Sequence, residues 1–511
     1  MSAGRREALN LAALAALAVV VLLPNAPVGR VPSEDEGVFL YVARTIASGG
    51  MPYRDVWDHK PPGVYLLDVV AGGTPWGVFA LQAIALVGAA VLSYRALRSE
   101  LGAVAAAFGT AAWLLAAPRL FLEDGMQTNF AELFALPFQF AALGLFAAEE
   151  KRSVPTWRSA TISALGAGAA VLKPTLVGMW IAIAIYLLVT RMRSRRWSDL
   201  ARRAALLVTP GVLVIALVVA WLARGGALAD ALDQVVRYNT AYASFASPTD
   251  RLAAIALGLR LTLPSGLALL GAAGWLAGAF GSQRPLVLLA VIALPIEILL
   301  SSAGRAYHYY FLAWLPTLGV LAGYLAASAP GWFEARKTRW ALFAAAALMS
   351  IQPGVLVGRL LATPDDGASR EAAAYIAAST RPGDTVLVWG SRAEVLVLAD
   401  RRSPTKLVYQ YAALATRGYA LPAPAGRGYE LPSPEYWMLD EFWQKPPVLI
   451  IDASTGSFVT PPFGAESWIS PEAQYEWSPE ALSMMRGLRQ QYERVATLSK
   501  SGWSVWRLRF R

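Results

Sequence analysis

Residues 31–67 read VPSEDEGVFLYVARTIASGGMPYRDVWDHKPPGVYLL. The stretch carries Glu34, Asp35, Glu36, Arg54, Asp55, Asp58, His59 and Lys60, too many charges to lie in hydrocarbon. Yet Val38, Phe39, Leu40, Tyr41, Tyr53 and Trp57 alternate with them, so the segment must pack against something apolar. The runs EGVFLYVARTIASG and PPGVYLLDVVAGG are amphipathic and predict two helices lying along a membrane interface. Pro61 and Pro62 follow Lys60 directly and stiffen the backbone where a cation would need fixed placement.

On both sides the chain turns apolar. Arg5 and Arg6 precede an apolar run from Ala8 to Leu23, which has the look of a signal peptide but is read as a retained first span. Further spans are predicted at about 76–94, 101–117, 127–147, 159–172, 175–190, 204–223, 262–280, 285–302, 311–328 and 340–358, giving eleven. Composition agrees: 56% of the 511 residues are hydrophobic and 16% charged, with a mean hydropathy of +0.44. Soluble domains run near 25% charged. The apolar stretches also lack the polar stripe that a buried soluble helix would show.

Arg95, Arg98, Lys151, Arg152, Arg158, Arg336, Lys337, Arg339 and the run RMRSRRWSDLARR from Arg191 to Arg203 then fall on one side. The positive-inside rule makes that side cytoplasmic, with the N-terminus. The net charge of +10 is therefore a topology signal and not a nucleic-acid footprint. The expected setting is the cell's inner (plasma) membrane, crossed many times. Residues 1–358 form the membrane domain, with the external loop at 25–75, and residues 359–511 an extracytoplasmic domain. In that tail the helical patterns REAAAYIAAS and SPEALSMMRGLRQQYERV alternate with the strand-like runs DTVLVWG, TKLVYQY, PVLIID and WSVWRLR. This predicts a small α/β domain with a partly parallel sheet. The absence of cysteine removes disulfides, thiolate metal sites and a cysteine nucleophile. No internal repeat is visible, which disfavours inverted-repeat transporters.

From Asp35 to Leu67 the pattern D-E-G…Y-x-A-R…G…P-Y-R-D…D-x-K-P-P-G…Y-L-L resembles the first external loop of the C-type glycosyltransferase superfamily. The nearest branch is the protein mannosyltransferase and aminoarabinose transferase group. The resemblance continues at EDGMQTNFAELFALPF (123–138), at Lys173-Pro174-Thr175 and at GRAYHYYFLAWLP (304–316). It implies an all-α polytopic bundle with juxtamembrane helices, and an inverting transfer of sugar from a polyprenyl-phosphate donor. By the same resemblance Asp35 is the acceptor-side acid and Glu36 its partner. Lys60 and Arg305 face the donor phosphate. Two departures stand out: His59 occupies the place of a glutamate in the aminoarabinose branch, and Tyr307-His308-Tyr309-Tyr310 displaces the usual histidine by one.

The chemistry of these residue types agrees. Transfer releases a lipid-phosphate anion, which fixed cations stabilise. Arginine offers phosphate a planar fork and lysine a point charge. A carboxylate within reach can deprotonate an acceptor hydroxyl. Glu132 and Glu297 lie inside apolar spans, where ionisable groups default to function. Glu297 and Arg305 are two helical turns apart, so they share a face if the helix continues. Lys173 reads equally as a phosphate contact or a snorkelling lysine, and His308 as a site residue or as packing among the tyrosines. Asp58 and His59 belong to the candidate site, with Tyr307. Tyr238 and Asn239 are weaker candidates for sugar or acceptor contacts.

Two histidines exclude the common zinc layouts. A divalent ion on Asp35, Glu36 or Asp58 oxygens is compatible with the sequence, but no obligatory cofactor is expected. The expected partners are a polyprenyl-phosphate-linked sugar, an acceptor glycan, lipid or protein, and membrane lipid. A flippase for a lipid-linked substrate would instead carry charges at mid-depth. A non-catalytic lipid-sugar-binding subunit could dispense with Asp35.

Overall fold

The computed structural model describes residues 3–121, 129–152, 155–244, 246–303, 307–328, 358, 367–408, 439, 441–455, 460–468 and 479–509. Helix α1 (Ala3–Leu22) leads into the external loop, where α2 (Glu34–Ala47) and α3 (Gly63–Val70) form as the amphipathic runs predict. Then follow α4 (Pro75–Leu101), α5 (Ala103–Phe121), α6 (Ala131–Glu149), α7 (Trp157–Leu172), α8 (Gly178–Arg193) and α9 (Trp197–Arg224). Short α10 (Leu228–Ala231), a π-helix (Leu232–Tyr238) and α11 (Asn239–Ser244) lead to α12 (Pro248–Thr262), α13 (Leu267–Gly281), α14 (Pro285–Ser301) and α15 (Leu315–Ser328). A 3-10 turn (His308–Trp314) leads directly into α15.

The chain is a multi-pass membrane protein. Among the described residues seven helices are long and apolar enough to cross a membrane. Not all of the eleven expected spans are counted among these. The span expected at 262–280 is α13, and α12 before it, which was not expected, meets it at a bend of 106°. Gly266 sits at that bend with φ +75°, a left-handed conformation that glycine adopts without strain. Counted as one span, the pair makes eight. Helices α7 and α14 have 16 and 17 residues, at the short end of what crosses a membrane. The span expected at 340–358 lies outside the described residues apart from residue 358.

The two ends of the bundle differ in charge. At one end Arg191 pairs with Glu150 at 2.7 Å and with Asp199 at 2.9 Å, and Arg203 reaches Asp199 at 3.1 Å. Thr156 and Ser159 bond Glu149 beside them. This is the basic end. Helix α7 runs from it to the opposite end, a rise of about 24 Å. There Lys173, in extended backbone (φ −164°, ψ 126°), interrupts the helix before Pro174. A residue preceding proline is pushed out of the helical region, so the break is local chemistry.

The tail forms a four-stranded sheet of β1 (Val386–Trp389), β2 (Leu449–Asp452), β3 (Tyr492–Thr497) and β4 (Ser504–Leu508) in the order β1-β2-β4-β3. Only β1 and β2 run parallel, so the expected partly parallel sheet is present. It is flanked by α16 (Gly367–Ser379), α17 (Ala393–Ala399) and α18 (Pro479–Gln490). Two local expectations fail. The helix over 478–495 ends at Gln490 and YERVAT becomes β3, because β4 offers it a ladder. Of TKLVYQY, residues 405–408 form no strand and the rest lie outside the described residues.

The external loop is clamped between bundle and tail. Val38, Phe39 and Val42 share one core with Val386, Val388, Val395 and Leu396. Arg44 donates to the Val397 carbonyl at 2.5 Å, and the Ser403 N–H to the Tyr41 hydroxyl at 2.8 Å. Gly37 lies against the backbone of Glu394: a Cβ there would sit 2.5 Å from its nitrogen. Only glycine lets α2 and α17 approach so closely.

Candidate active site

Helix α2 begins where Ser33 accepts the Glu36 N–H at 3.3 Å, a side-chain N-cap. Glu34, Asp35 and Glu36 fill its first turn. Successive helical residues are turned by about 100°, so the adjacent acids part company. Asp35 is exposed and lies within electrostatic reach of both Lys60 and Lys173. Glu36 is 7% exposed and turns away, into a small cavity that Asn25, Gln82 and Phe79 also line. Burial pushes its carboxyl up to about 8, against a hydrogen bond from the Ser33 backbone N–H.

The Lys60 loop is built around Asp58, which is 2% exposed. The Tyr65 hydroxyl donates to one Asp58 oxygen at 2.6 Å and the His59 N–H to the other at 2.7 Å. Burial opposes the Asp58 charge, but His59, Lys60 and Tyr65 hold its carboxyl down to about 2. The Lys60 carbonyl accepts from the Tyr53 hydroxyl at 2.8 Å. Burial also opposes the Lys60 charge, yet Asp35 and Asp58 keep its ammonium above the usual lysine range. The π-helix supports this loop from behind. Gln234 accepts the Asp58 N–H at 3.2 Å and donates to the Tyr53 carbonyl at 2.9 Å. Asn239 donates to the His59 carbonyl at 2.6 Å. Tyr238 packs its ring 5.0 Å from the His59 ring. Single π-helical turns recur at functional sites.

Gly63 rests on the end of α7, which brings Lys60 within electrostatic reach of Lys173. A Cβ at Gly63 would stand 2.7 Å from the Val171 carbonyl oxygen. Lys173 donates to Glu132 at 2.6 Å and stands 3.2 Å from the centre of the Tyr310 ring. A cation over an aromatic face is attracted by the ring quadrupole. Glu132 thus leaves the apolar-span category: it is the counter-ion of Lys173. Tyr307 stacks on Tyr309 with centroids 5.6 Å apart.

The other candidates sit elsewhere. His308 is 3% exposed, its Nδ1 is 3.1 Å from the Leu120 carbonyl and its ring is edge-on to Phe130, so it packs beneath the tyrosines. Glu297 faces the start of α8, where a Cβ on Gly178 would stand 2.6 Å from its carboxyl carbon. Helix α14 ends at Ser301, so the face that Glu297 and Arg305 were expected to share is not continued. Arg305 lies outside the described residues, as do residues 123–128 of the second motif. The sequence reading missed Asp68, fully buried on α3, which receives both bonds of the Asn129 amide at 2.7 and 2.6 Å. An acid inside VYLLDVV was the available signal. It also missed Tyr310, Tyr53, Tyr65 and Gln234, whose types say nothing without their partners. For a divalent ion, among the described residues no three of His, Asp and Glu converge as ligands. Glu36 points away from Asp35, and Asp58 is held by Tyr65 and His59.

The sequence model of a family described as "Putative competence-induced protein Ccs4 N-terminal domain" matches residues 12–341, more than half of the chain. The chain belongs to that family. No curated protein matches the sequence of this Ccs4-family chain. Among solved structures it is similar to ArnT from Cupriavidus metallidurans bound to undecaprenyl phosphate, at 16% identity and a TM-score of 0.65, covering 99% of this chain and 98% of that one. The apo state of that protein gives a TM-score of 0.61 at the same identity and coverage. The archaeal oligosaccharyltransferase AglB from Archaeoglobus fulgidus, in complex with an inhibitory peptide and a dolichol-phosphate, is 12% identical with a TM-score of 0.52. That match covers 87% of this chain and 70% of AglB. At such identities the likeness establishes the fold. It is the C-type glycosyltransferase fold that the external loop resembles in sequence.

Proposed function

We propose that the chain is an inverting glycosyltransferase that moves a monosaccharide from a polyprenyl-phosphate donor to an acceptor outside the cytoplasm. One observation carries the reading. Three segments far apart in sequence bring Asp35, Lys60 and the Lys173–Glu132 pair to one end of the bundle. The likeness to an ArnT structure bound to undecaprenyl phosphate supports the donor class.

The donor phosphate sits against the Lys60 and Lys173 ammonium groups, with Arg305 as a further contact. The acceptor hydroxyl attacks the anomeric carbon from the face opposite the phosphate. The carbon–oxygen bond to phosphate breaks, and its electron pair leaves on the polyprenyl phosphate. Asp35 takes the hydroxyl proton as the new glycosidic bond forms. The two cations stabilise the charge that develops on the leaving oxygen. Lys173 is released from Glu132 as the phosphate arrives, while Tyr310 keeps it in place. The transfer is drawn without a resident metal ion.

The purified chain, reconstituted with lipid-linked sugars and membranes extracted from its source, should release free undecaprenyl phosphate, counted by mass spectrometry. Lys60→Ala and Lys173→Ala should each lower that release by about 10²–10³, the usual cost of losing one oxyanion contact. Release at wild-type rates by both variants would overturn the assignment.

A further inference from the structure

His59 is the position at which the loop departs from the aminoarabinose branch, and the transfer drawn above gives it no task. Its surroundings are well defined. Its Nδ1 stands 3.3 Å from the Asp58 carboxylate and its Nε2 3.3 Å from the Lys60 ammonium nitrogen. The ring is wedged against Tyr238 at 5.0 Å and Trp57 at 6.1 Å between centroids. Asn239 anchors its carbonyl at 2.6 Å. The imidazole side chain is only 20% exposed, so it has little freedom to turn away.

We propose that His59 is a positioning residue, the bridge of an Asp58–His59–Lys60 chain that aims the Lys60 ammonium at the phosphate of the lipid. The inference rests on the donor reading above and deepens it. The argument is one of tautomers. A histidine's outer nitrogen takes its role from the bond its other nitrogen makes. The ionised Asp58 carboxylate, 3.3 Å from Nδ1 at ion-pair distance though not in an aligned hydrogen bond, favours the tautomer with the proton on Nδ1. Nε2 then keeps a lone pair, and the nearest donor to it is Lys60. A lysine has four rotatable bonds and three equivalent donors. Holding one of its protons on Nε2 leaves the other two to point outward, on the side where Asp35 lies. Tyr53 donates to the Lys60 carbonyl at 2.8 Å, so backbone and ammonium are both restrained.

The chain has a signature in pH. Burial, and then the Lys60 charge, lower the affinity of His59 for a proton, against Asp58 and Asp35, which raise it. These are the charged groups facing the ring; Tyr238, Trp57 and Asn239 meet it without charge. The neutral ring that the bridge needs is therefore favoured, and falling pH works against it. Protonated, Nε2 no longer accepts and instead repels Lys60.

The test uses the full chain in lipid nanodiscs with undecaprenyl phosphate as probe, its binding followed by native mass spectrometry between pH 7.5 and 5. Two variants separate packing from bridging. His59→Phe keeps a flat ring without the nitrogens; it should still fold, at a melting temperature lowered by the lost Asp58 contact, and bind the probe about tenfold more weakly at pH 7.5, the scale of one charge-assisted hydrogen bond. His59→Gln can still donate to Asp58 and accept from Lys60. It should bind near the wild-type affinity and lose the part of the acid weakening that His59 causes, leaving only the lipid's own titration. If His59→Phe binds like wild type, or if His59→Gln weakens with acid as steeply as wild type, the inference is overturned alone. If the wild-type chain does not bind the probe, the donor reading fails and takes the inference with it.

Discussion

At the scale of single residues, two neighbouring acids have different fates. Asp35 and Glu36 carry the same chemistry and were expected to work together. The helix turns Asp35 to the lysines and Glu36 to a buried cavity beside Asn25 and Gln82. Base work needs an ionised carboxylate with access to the acceptor. Asp35 has the access. Glu36, whose carboxyl burial pushes up to about 8, is mostly protonated at pH 7. Asp35→Asn should leave a folded protein that binds undecaprenyl phosphate and turns over at least ~10²-fold more slowly. Glu36→Gln, which mimics the protonated acid, should turn over near the wild-type rate. Turnover and lipid binding measured on both variants decide the matter, and the reverse ranking would move the base to Glu36. If the acceptor is itself a phosphate, no base is required and Asp35 orients it instead.

At the scale of elements, the site depends on two interruptions and one close contact. The Lys173-Pro174 break puts a cation at the end of α7. The π-helix over Leu232–Tyr238 sends Gln234 and Tyr238 to the Lys60 loop. Gly63 then seats that loop on the broken end of α7. A Cβ at Gly63 would stand 2.7, 2.8 and 2.9 Å from backbone atoms of Val171 and Leu172, which cannot swing aside as a side chain can. Gly63→Ala must therefore lift the loop. The expected cost is about 1–3 kcal/mol, as for overpacking elsewhere. It should appear as a lower melting temperature together with weakened donor use, since Lys60 moves away from Lys173. Unchanged melting and unchanged transfer would show that the loop is seated some other way. Gly37 makes a comparable contact on the other side, against Glu394.

At the scale of the whole molecule, charge is sorted to the ends of the bundle. The arginine-rich network of Arg191 and Arg203 closes one end, and the candidate site with the tail domain occupies the other. The positive-inside rule assigns the first end to the cytoplasm. The tail, which touches the loop through Tyr41, Arg44 and Trp57, is then expected outside. A reporter that is active only in the cytoplasm, fused after Arg511, should stay silent, and the same reporter placed in the loop after Arg193 should be active. A strong signal from the first fusion would reverse the orientation and put the site on the cytoplasmic face.

Much of this was legible in the chain alone. Hydropathy marked the membrane segments, because crossing hydrocarbon forces the backbone into a helix and keeps most side chains apolar. Local spacing marked α2 and α3, and the motif from Asp35 to Leu67 pointed to the candidate site, because amphipathic period and short-range motifs are properties of neighbouring residues. The bend between α12 and α13 escaped this reading, as did the strand at 492–497, since a bend and a ladder are settled by what packs alongside. The same holds for the partners of the reacting groups. That Glu132 answers Lys173 across 41 positions, that Tyr310 lies under the same ammonium, and that Asp35 rather than Glu36 faces them depends on how α2, α6, α7 and α15 are set against one another. Those settings come from close packing over the whole bundle, which no local pattern encodes.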